Sequence, residues 1–223
     1  MNLLGMFAKY WQPGTVKTRL ARTTGDAAAA EVHRAMLSHL LDSLRSSGDD
    51  RWLVVTPPDS TEAFAEATQG NWQVRAQSAG DLGQRMQAFF DQAFAAGATR
   101  VVLIGADCPL VTPATIDQAF AALDKSDVVL GPSEDGGYYL VGASHCTPNI
   151  FDDVAWSTPS VWRETMHRVE QLGLRIATLD ERFDIDEASD LQRLVDDFDA
   201  GRCRGLSDVV RVARRALRGN DRC

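Results

Sequence analysis

Short, fully apolar runs alternate along this chain with longer segments whose apolar residues recur at helical spacing. The clearest run is Val101–Ile104, mostly β-branched, in RVVLIGADCP (100–109). A continuous run of this kind predicts a strand buried on both faces of a parallel sheet. Leu3–Phe7 and Trp52–Thr56 read the same way, Val128–Leu130, Tyr138–Val141 and Arg175–Leu179 as shorter strands, and Trp72–Gln77 as a less buried one. Between them, helical spacing links Val32, Met36, Leu37, Leu40 and Leu41 after a candidate cap at Asp26, and Leu82, Met86, Phe89, Phe90 and Ala93 before Gly97. A short helix is predicted around Ala63–Ala67. Thr112 and Pro113 form an N-cap and first-turn proline for a helix carrying Ile116, Ala119 and Phe120. Ser157, Thr158 and Pro159 are expected to start a helix running towards Gly173, and Leu191, Leu194, Val195 and Phe198 mark another. Residues 8–26, AKYWQPGTVKTRLARTTGD, read as a polar loop. Strands alternating with helices predict one α/β domain, Rossmann-like and three-layered, with a mostly parallel sheet and helices on both faces. Its expected extent is 1–201, with 202–223 a basic C-terminal helix packed on it or trailing it.

Composition narrows the class without changing that picture. At 44% hydrophobic and 24% charged the chain is ordinary for a globular protein. No apolar run approaches the roughly 20 residues of a membrane span. No basic segment or cleavage site precedes the first strand, so a cytoplasmic location is expected. The net charge of −8 argues against nucleic-acid binding, although seven of the arginines lie from Arg202 onward. Cys108, Cys146, Cys203 and Cys223 are scattered without metal-type pairing and are expected to be free thiols.

Three stretches could carry chemistry. Asp107 follows the central strand, where open α/β sheets bind ligands, and reads either as a cap of the next turn or as a metal ligand. In FDIDEASDL, alternation places Asp184 and Asp186 on one side of an extended segment and Phe183 and Ile185 on the other. Asp107 plus Asp186 would meet the minimum that Mg²⁺ or Mn²⁺ needs when it also holds phosphate. Asp186 could instead be a helix cap before Asp190. Two of the three lysines, Lys9 and Lys17, share the first loop with Arg19 and Arg22, and Pro13-Gly14 supplies a turn. That cluster suits phosphate, though a solvated basic loop is the competing reading. The third stretch, PSEDGGYYLVG, offers Glu134 and Asp135 as a base or hydroxyl ligand, with Gly136 and Gly137 permitting close approach. A plain hairpin turn accounts for it as well. Arg85 in GDLGQRM could meet phosphate or cover its helix, and Trp156 could stack on a sugar or base or join the core. Neither a GxxxxGK[ST] nor a GxGxxG motif is present.

Taken together, FAKYWQPGTVKTRLA, GDLGQRM, IGADCPLVTPATI, EDGGYYLVG, WST and DIDEASDL occur in this order over nearly the whole chain. The set resembles a family of small bacterial GT-A-fold nucleotide-diphospho-sugar transferases, some assigned to arsenosugar biosynthesis. The resemblance implies a Rossmann-like sheet binding nucleotide, with metal on Asp107 and Asp186. KTRL is also similar to the KSRL segment of 2-phospholactate guanylyltransferases, which implies phosphates on Lys17 and Arg19. The chain departs from the usual sugar nucleotidyltransferase signature in its first loop and has Asp107-Cys108-Pro109 in place of a plain DxD. The expected activity is metal-dependent transfer from a nucleoside-diphosphate sugar to a small-molecule acceptor. Nucleotidyl transfer from a triphosphate to a phosphorylated small molecule is the alternative, and non-catalytic nucleotide binding a third.

Overall fold

A computed structural model describes residues 1–219. Cys223 and the end of the basic C-terminal segment lie outside the described residues. The strands are β1 (Asn2–Lys9), β2 (Asp50–Thr56), β3 (Gln73–Ala76), β4 (Arg100–Gly105), β5 (Val128–Pro132), β6 (Tyr138–Ser144) and β7 (Ile176–Thr178). The helices are α1 (Thr18–Thr24), α2 (Asp26–Ser43), α3 (Thr61–Thr68), α4 (Leu82–Ala95), α5 (Pro113–Ala122), α6 (Val161–Gln171), α7 (Ala188–Asp199) and α8 (Ser207–Arg218).

All seven strands join one sheet in the order β3-β2-β1-β4-β6-β5-β7, parallel except for β6, which runs against β4 and β5. Side-chain alternation divides each central strand between two cores. Val102 and Ile104 face one core with Leu37, Leu40, Phe64, Ile116 and Phe120. Val101 and Leu103 face the other, with Met86, Phe89, Phe90 and Val169. Gly5 is needed where β1 passes under α4, since a Cβ there would lie 2.1 Å from the Phe89 ring. A third apolar cluster, away from the sheet, joins Leu20 of α1 and Val32 of α2 to Leu191 of α7 and Val209 of α8.

The element pattern matches the sequence reading with three corrections. The first loop contains α1, whose Leu20 is buried by tertiary packing and not by a helical period of its own. Gly25 (φ 84°) occupies the N-cap of α2, and Asp26 is its first helical residue. Residues 157–160 form a turn, so α6 begins at Val161, where Glu164 reaches back to the Ala155 N–H. Thr112 caps α5 as predicted, in a reciprocal pair with Thr115.

The chain winds outward through β1, β2 and β3, then returns to place β4 on the other side of β1. The carboxyl ends of β1 and β4 therefore diverge at a topological switch point, where α/β sheets open a crevice.

Candidate active site

That crevice is a cleft of about 300 Å³ lined by Lys9, Thr56, Gln77, Asp107, Tyr139 and Asp184, among others. Asp107 stands two residues past β4. The segment carrying Asp184 and Asp186 is drawn alongside by backbone bonds: Ile185 N–H donates to the Asp107 carbonyl (3.0 Å) and Glu134 N–H to the Arg182 carbonyl (2.9 Å). Phe183 and Ile185 are buried on the inner side, as the alternation predicts, which turns Asp184 and Asp186 outward. Asp190 accepts the backbone N–H groups of Asp186 (3.1 Å) and Glu187 (2.8 Å), fixing the approach to α7.

Lys17 closes the arrangement. Its Nζ contacts Asp107 Oδ1 and lies 3.1 Å from Asp186 Oδ1, and its side chain is 3% exposed against 50% and 41% for the two acids. Burial opposes the lysine's charge, but the two carboxylates outweigh it and hold its pKa above the usual value. Burial would likewise raise the Asp107 pKa, and Lys17, with His33 second, pulls it below the ordinary carboxylate range. Lys17 adopts a left-handed backbone (φ 48°, ψ 44°), a conformation costing an L-residue about 1–2 kcal/mol.

Two flanking groups, His33 and Asp184, were given no role of their own by the sequence. His33 on α2 is buried, with Nε2 2.9 Å from the Lys9 carbonyl and Nδ1 4.0 Å from Asp107 Oδ1. A carbonyl can only accept, so Nε2 carries the hydrogen. Desolvation lowers the His33 pKa despite Asp107, and Nδ1 has no hydrogen-bond partner. The available signal was its place within the apolar face of α2, between Ala29 and Met36. Asp184 accepts a bond from Ser133 Oγ (3.3 Å), and burial followed by the charge of Asp107 pushes its pKa up to about 7.

The remaining predicted residues separate. Lys9 stays at the cleft, its Nζ donating to the Thr15 carbonyl (2.7 Å) across the loop that holds Gly14 (φ 78°). Arg19 is exposed on α1. Arg85 is committed to the Gly80 carbonyl (2.8 Å) and Gln77 Oε1 (3.2 Å) at the cleft rim. Glu134 is held by both Arg193 nitrogens (2.6 and 2.9 Å), bonds that lower its pKa. Asp135 accepts the Gly137 N–H (3.0 Å) within its own turn. Gly136 carries that turn against α6, where a Cβ would lie 2.3 Å from the Pro159 carbonyl oxygen. Trp156 joins the core, edge-on to Tyr138 at 6.3 Å and stacked over Gly83. Cys108 is buried, its thiol pushed up to about 12 by desolvation and then by Asp184. A shallower groove of about 800 Å³ between α2 and α8 interleaves basic and acidic side chains without any converging set.

A pair of carboxylates suits a hard, oxygen-seeking cation such as Mg²⁺, which takes few protein ligands and completes its shell with phosphate and water. The Oδ1 atoms of Asp107 and Asp186 converge on one positive charge, the Lys17 ammonium, and these are the two residues that could hold such a cation.

Residues 40–158, from α2 to the Trp156 turn, match the family described as "Uncharacterized protein conserved in bacteria (DUF2064)". The chain belongs to this family. Its fold is shared over 98% of its length, at 30% identity and a TM-score of 0.89, with a candidate nucleotide-diphospho-sugar transferase from Desulfovibrio desulfuricans, 97% of which is covered. A nucleotidyl transferase from Methanothermobacter thermautotroptrophicus shares the fold at 18% identity and a TM-score of 0.58, over 89% of this chain and 97% of that one. The 3-phospho-D-glycerate guanylyltransferase of Phenylobacterium zucineum is 32% identical over 141 residues, 59% of this chain and 62% of that protein. This DUF2064 member is thus similar to nucleotidyl and nucleotide-sugar transferases in sequence and fold.

Proposed function

We infer that this protein is a metal-dependent nucleotidyltransferase that joins the nucleoside monophosphate of a triphosphate to a phosphorylated small molecule. The observation that carries this reading is the cluster of Lys17, Asp107 and Asp186 beside the cleft, while the two acids that sequence offered as a base are engaged elsewhere: Glu134 is neutralised by Arg193 and Asp135 accepts a bond within its own turn. A sugar or hydroxyl acceptor needs a base to lose its proton. A phosphate acceptor is already ionised. The similarity to a 3-phospho-D-glycerate guanylyltransferase favours the same reaction and makes GTP the first donor to test.

Asp107 and Asp186 would hold Mg²⁺ or Mn²⁺, which supplies positive charge to the triphosphate and its departing pyrophosphate. Lys9 on the loop and Arg19 on α1 would add positive charge for the phosphates, joined by Lys17 if it leaves the two acids. An acceptor phosphate oxygen attacks the α-phosphorus, a new P–O bond forms, and the bond to the β-phosphate oxygen breaks as pyrophosphate leaves. Burial of the Lys17 stem and of His33 beneath the loop excludes water from one side of the carboxylates.

Glycosyl transfer is the second reading, favoured by the similarity to the Desulfovibrio desulfuricans protein. The purified chain, incubated with Mg²⁺, each nucleoside triphosphate and a panel of phosphorylated hydroxy acids, separates the two. Acceptor-dependent pyrophosphate release supports nucleotidyl transfer. Release of nucleoside diphosphate from a nucleotide sugar, with no pyrophosphate from any triphosphate, overturns it.

A further inference from the structure

The ammonium of Lys17 does not point at open space where a phosphate could reach it. It is shut between Asp107 and Asp186, on the same Oδ1 atoms that would ligate a metal, while both acids remain partly exposed. We propose that Lys17 is a built-in placeholder for the divalent cation: it closes the two-carboxylate site to free metal and gives way when the polyphosphate of an incoming nucleotide offers it another anionic partner. This rests on the reading of Asp107 and Asp186 as metal ligands.

Three observations support it. One ammonium satisfies two carboxylates contributed by distant parts of the chain, so a metal ion arriving alone must displace a buried ammonium and leave its charge uncompensated. His33 cannot stand in for it, because its ring hydrogen is committed to the Lys9 carbonyl and its bare Nδ1 faces Asp107. Lys17 also stands at the start of α1 in a left-handed backbone with no side-chain cap, so its side chain is engaged with the two carboxylates and not in holding the helix. A nucleotide supplies what free metal lacks, an anion to receive the ammonium. Metal and nucleotide therefore raise each other's affinity by the same factor.

The test is titration of the full chain with Mn²⁺ alone, without nucleotide, followed by the paramagnetic resonance signal of unbound Mn²⁺. Wild type should bind weakly, Lys17→Met and Lys17→Gln at least about tenfold more tightly, a size ordinary for linked sites. Lys17→Arg, which keeps the positive charge, should behave as wild type. Thermal unfolding gives a second readout. Both neutral variants should melt below wild type in chelator and recover on adding Mn²⁺, and a variant that folds only with Mn²⁺ shows the same effect in full. Equal Mn²⁺ affinity in wild type and the neutral variants overturns the proposal, as does a neutral variant that stays unfolded with Mn²⁺ present. If wild type takes up Mn²⁺ with GTP while the neutral variants gain nothing without it, the placeholder alone is wrong. If wild type takes up no Mn²⁺ even with a triphosphate, the metal reading falls with it.

Discussion

The chemistry depends on a few charges whose environments differ sharply. Replacing Asp107 by Asn removes one of the two acids that hold Lys17 but keeps size and polarity. Turnover should fall by at least about a hundredfold, the scale of losing an electrostatic contact to the transition state, while the circular dichroism spectrum stays that of the wild type. Asp184 makes a pH prediction for the metal-free protein. Its folded pKa is raised to about 7, so the native state binds more protons than the unfolded chain between pH 4 and 7. The contribution of Asp184 to stability therefore falls as pH rises through that window and levels off above it. Thermal melts in chelator should show Asp184→Asn stabilising the protein at pH 8 and flattening the slope, and an unchanged slope would remove Asp184 as its source. Asp107 and Asp186 were legible because one follows an apolar strand and the other alternates with buried Phe183 and Ile185. Asp184 shared that alternation, but burial behind the Ser133 turn is a long-range fact that no local pattern carries. The same limit hid the Glu134–Arg193 pair, whose members are 59 residues apart.

At the scale of elements, the helices with strong periods and ordinary caps were readable and the functional loop was not. α4 announces itself through the apolar period of Leu82, Met86, Phe89, Phe90 and Ala93, and α5 through Thr112 and Pro113; the structure adds a capping box at each start, Asp81 with Gln84 and Thr112 with Thr115. α1 has seven residues, a single buried side chain and a lysine at its N-cap without a side-chain bond, so its existence depends on packing against α2 and α7. Local preference and tertiary structure disagree where the residue has a task, as functional sites generally show. The turn at Gly136 gives an independent test. Its backbone lies at φ 90° and a Cβ would strike the Pro159 carbonyl, so Gly136→Ala should destabilise the fold by about 1–3 kcal/mol. Its unfolding midpoint in urea should drop, whereas Gly201→Ala, with open space at its Cβ and also a positive φ (71°), should lose less.

Across the whole molecule, alternating strands and helices sufficed to predict a three-layer α/β domain. The insertion of β6 between β4 and β5 was not readable, because strand order is decided by long-range pairing. α8 packs against α2 and α7 and buries Val209, Val210, Ala213 and Ala216, so we propose that it belongs to the same cooperative unit as the sheet. Truncation after Arg204 should lower the thermal midpoint by several degrees and raise binding of a hydrophobic dye, since Leu20, Val32 and Leu191 lose their cover. An unaltered midpoint would make α8 an appendage.

The Ile185 N–H bond to the Asp107 carbonyl ties the two acids together across about a third of the chain's length. During synthesis Lys17 and Asp107 emerge first, and Asp186 follows only after β5, β6, α6 and β7 have been made. A nascent chain therefore displays Lys17 with only one of its two carboxylate partners until translation has passed β7. On the reading proposed above, an unfinished copy would hold an incomplete site, and nucleotide capture would mark a chain that has reached α7.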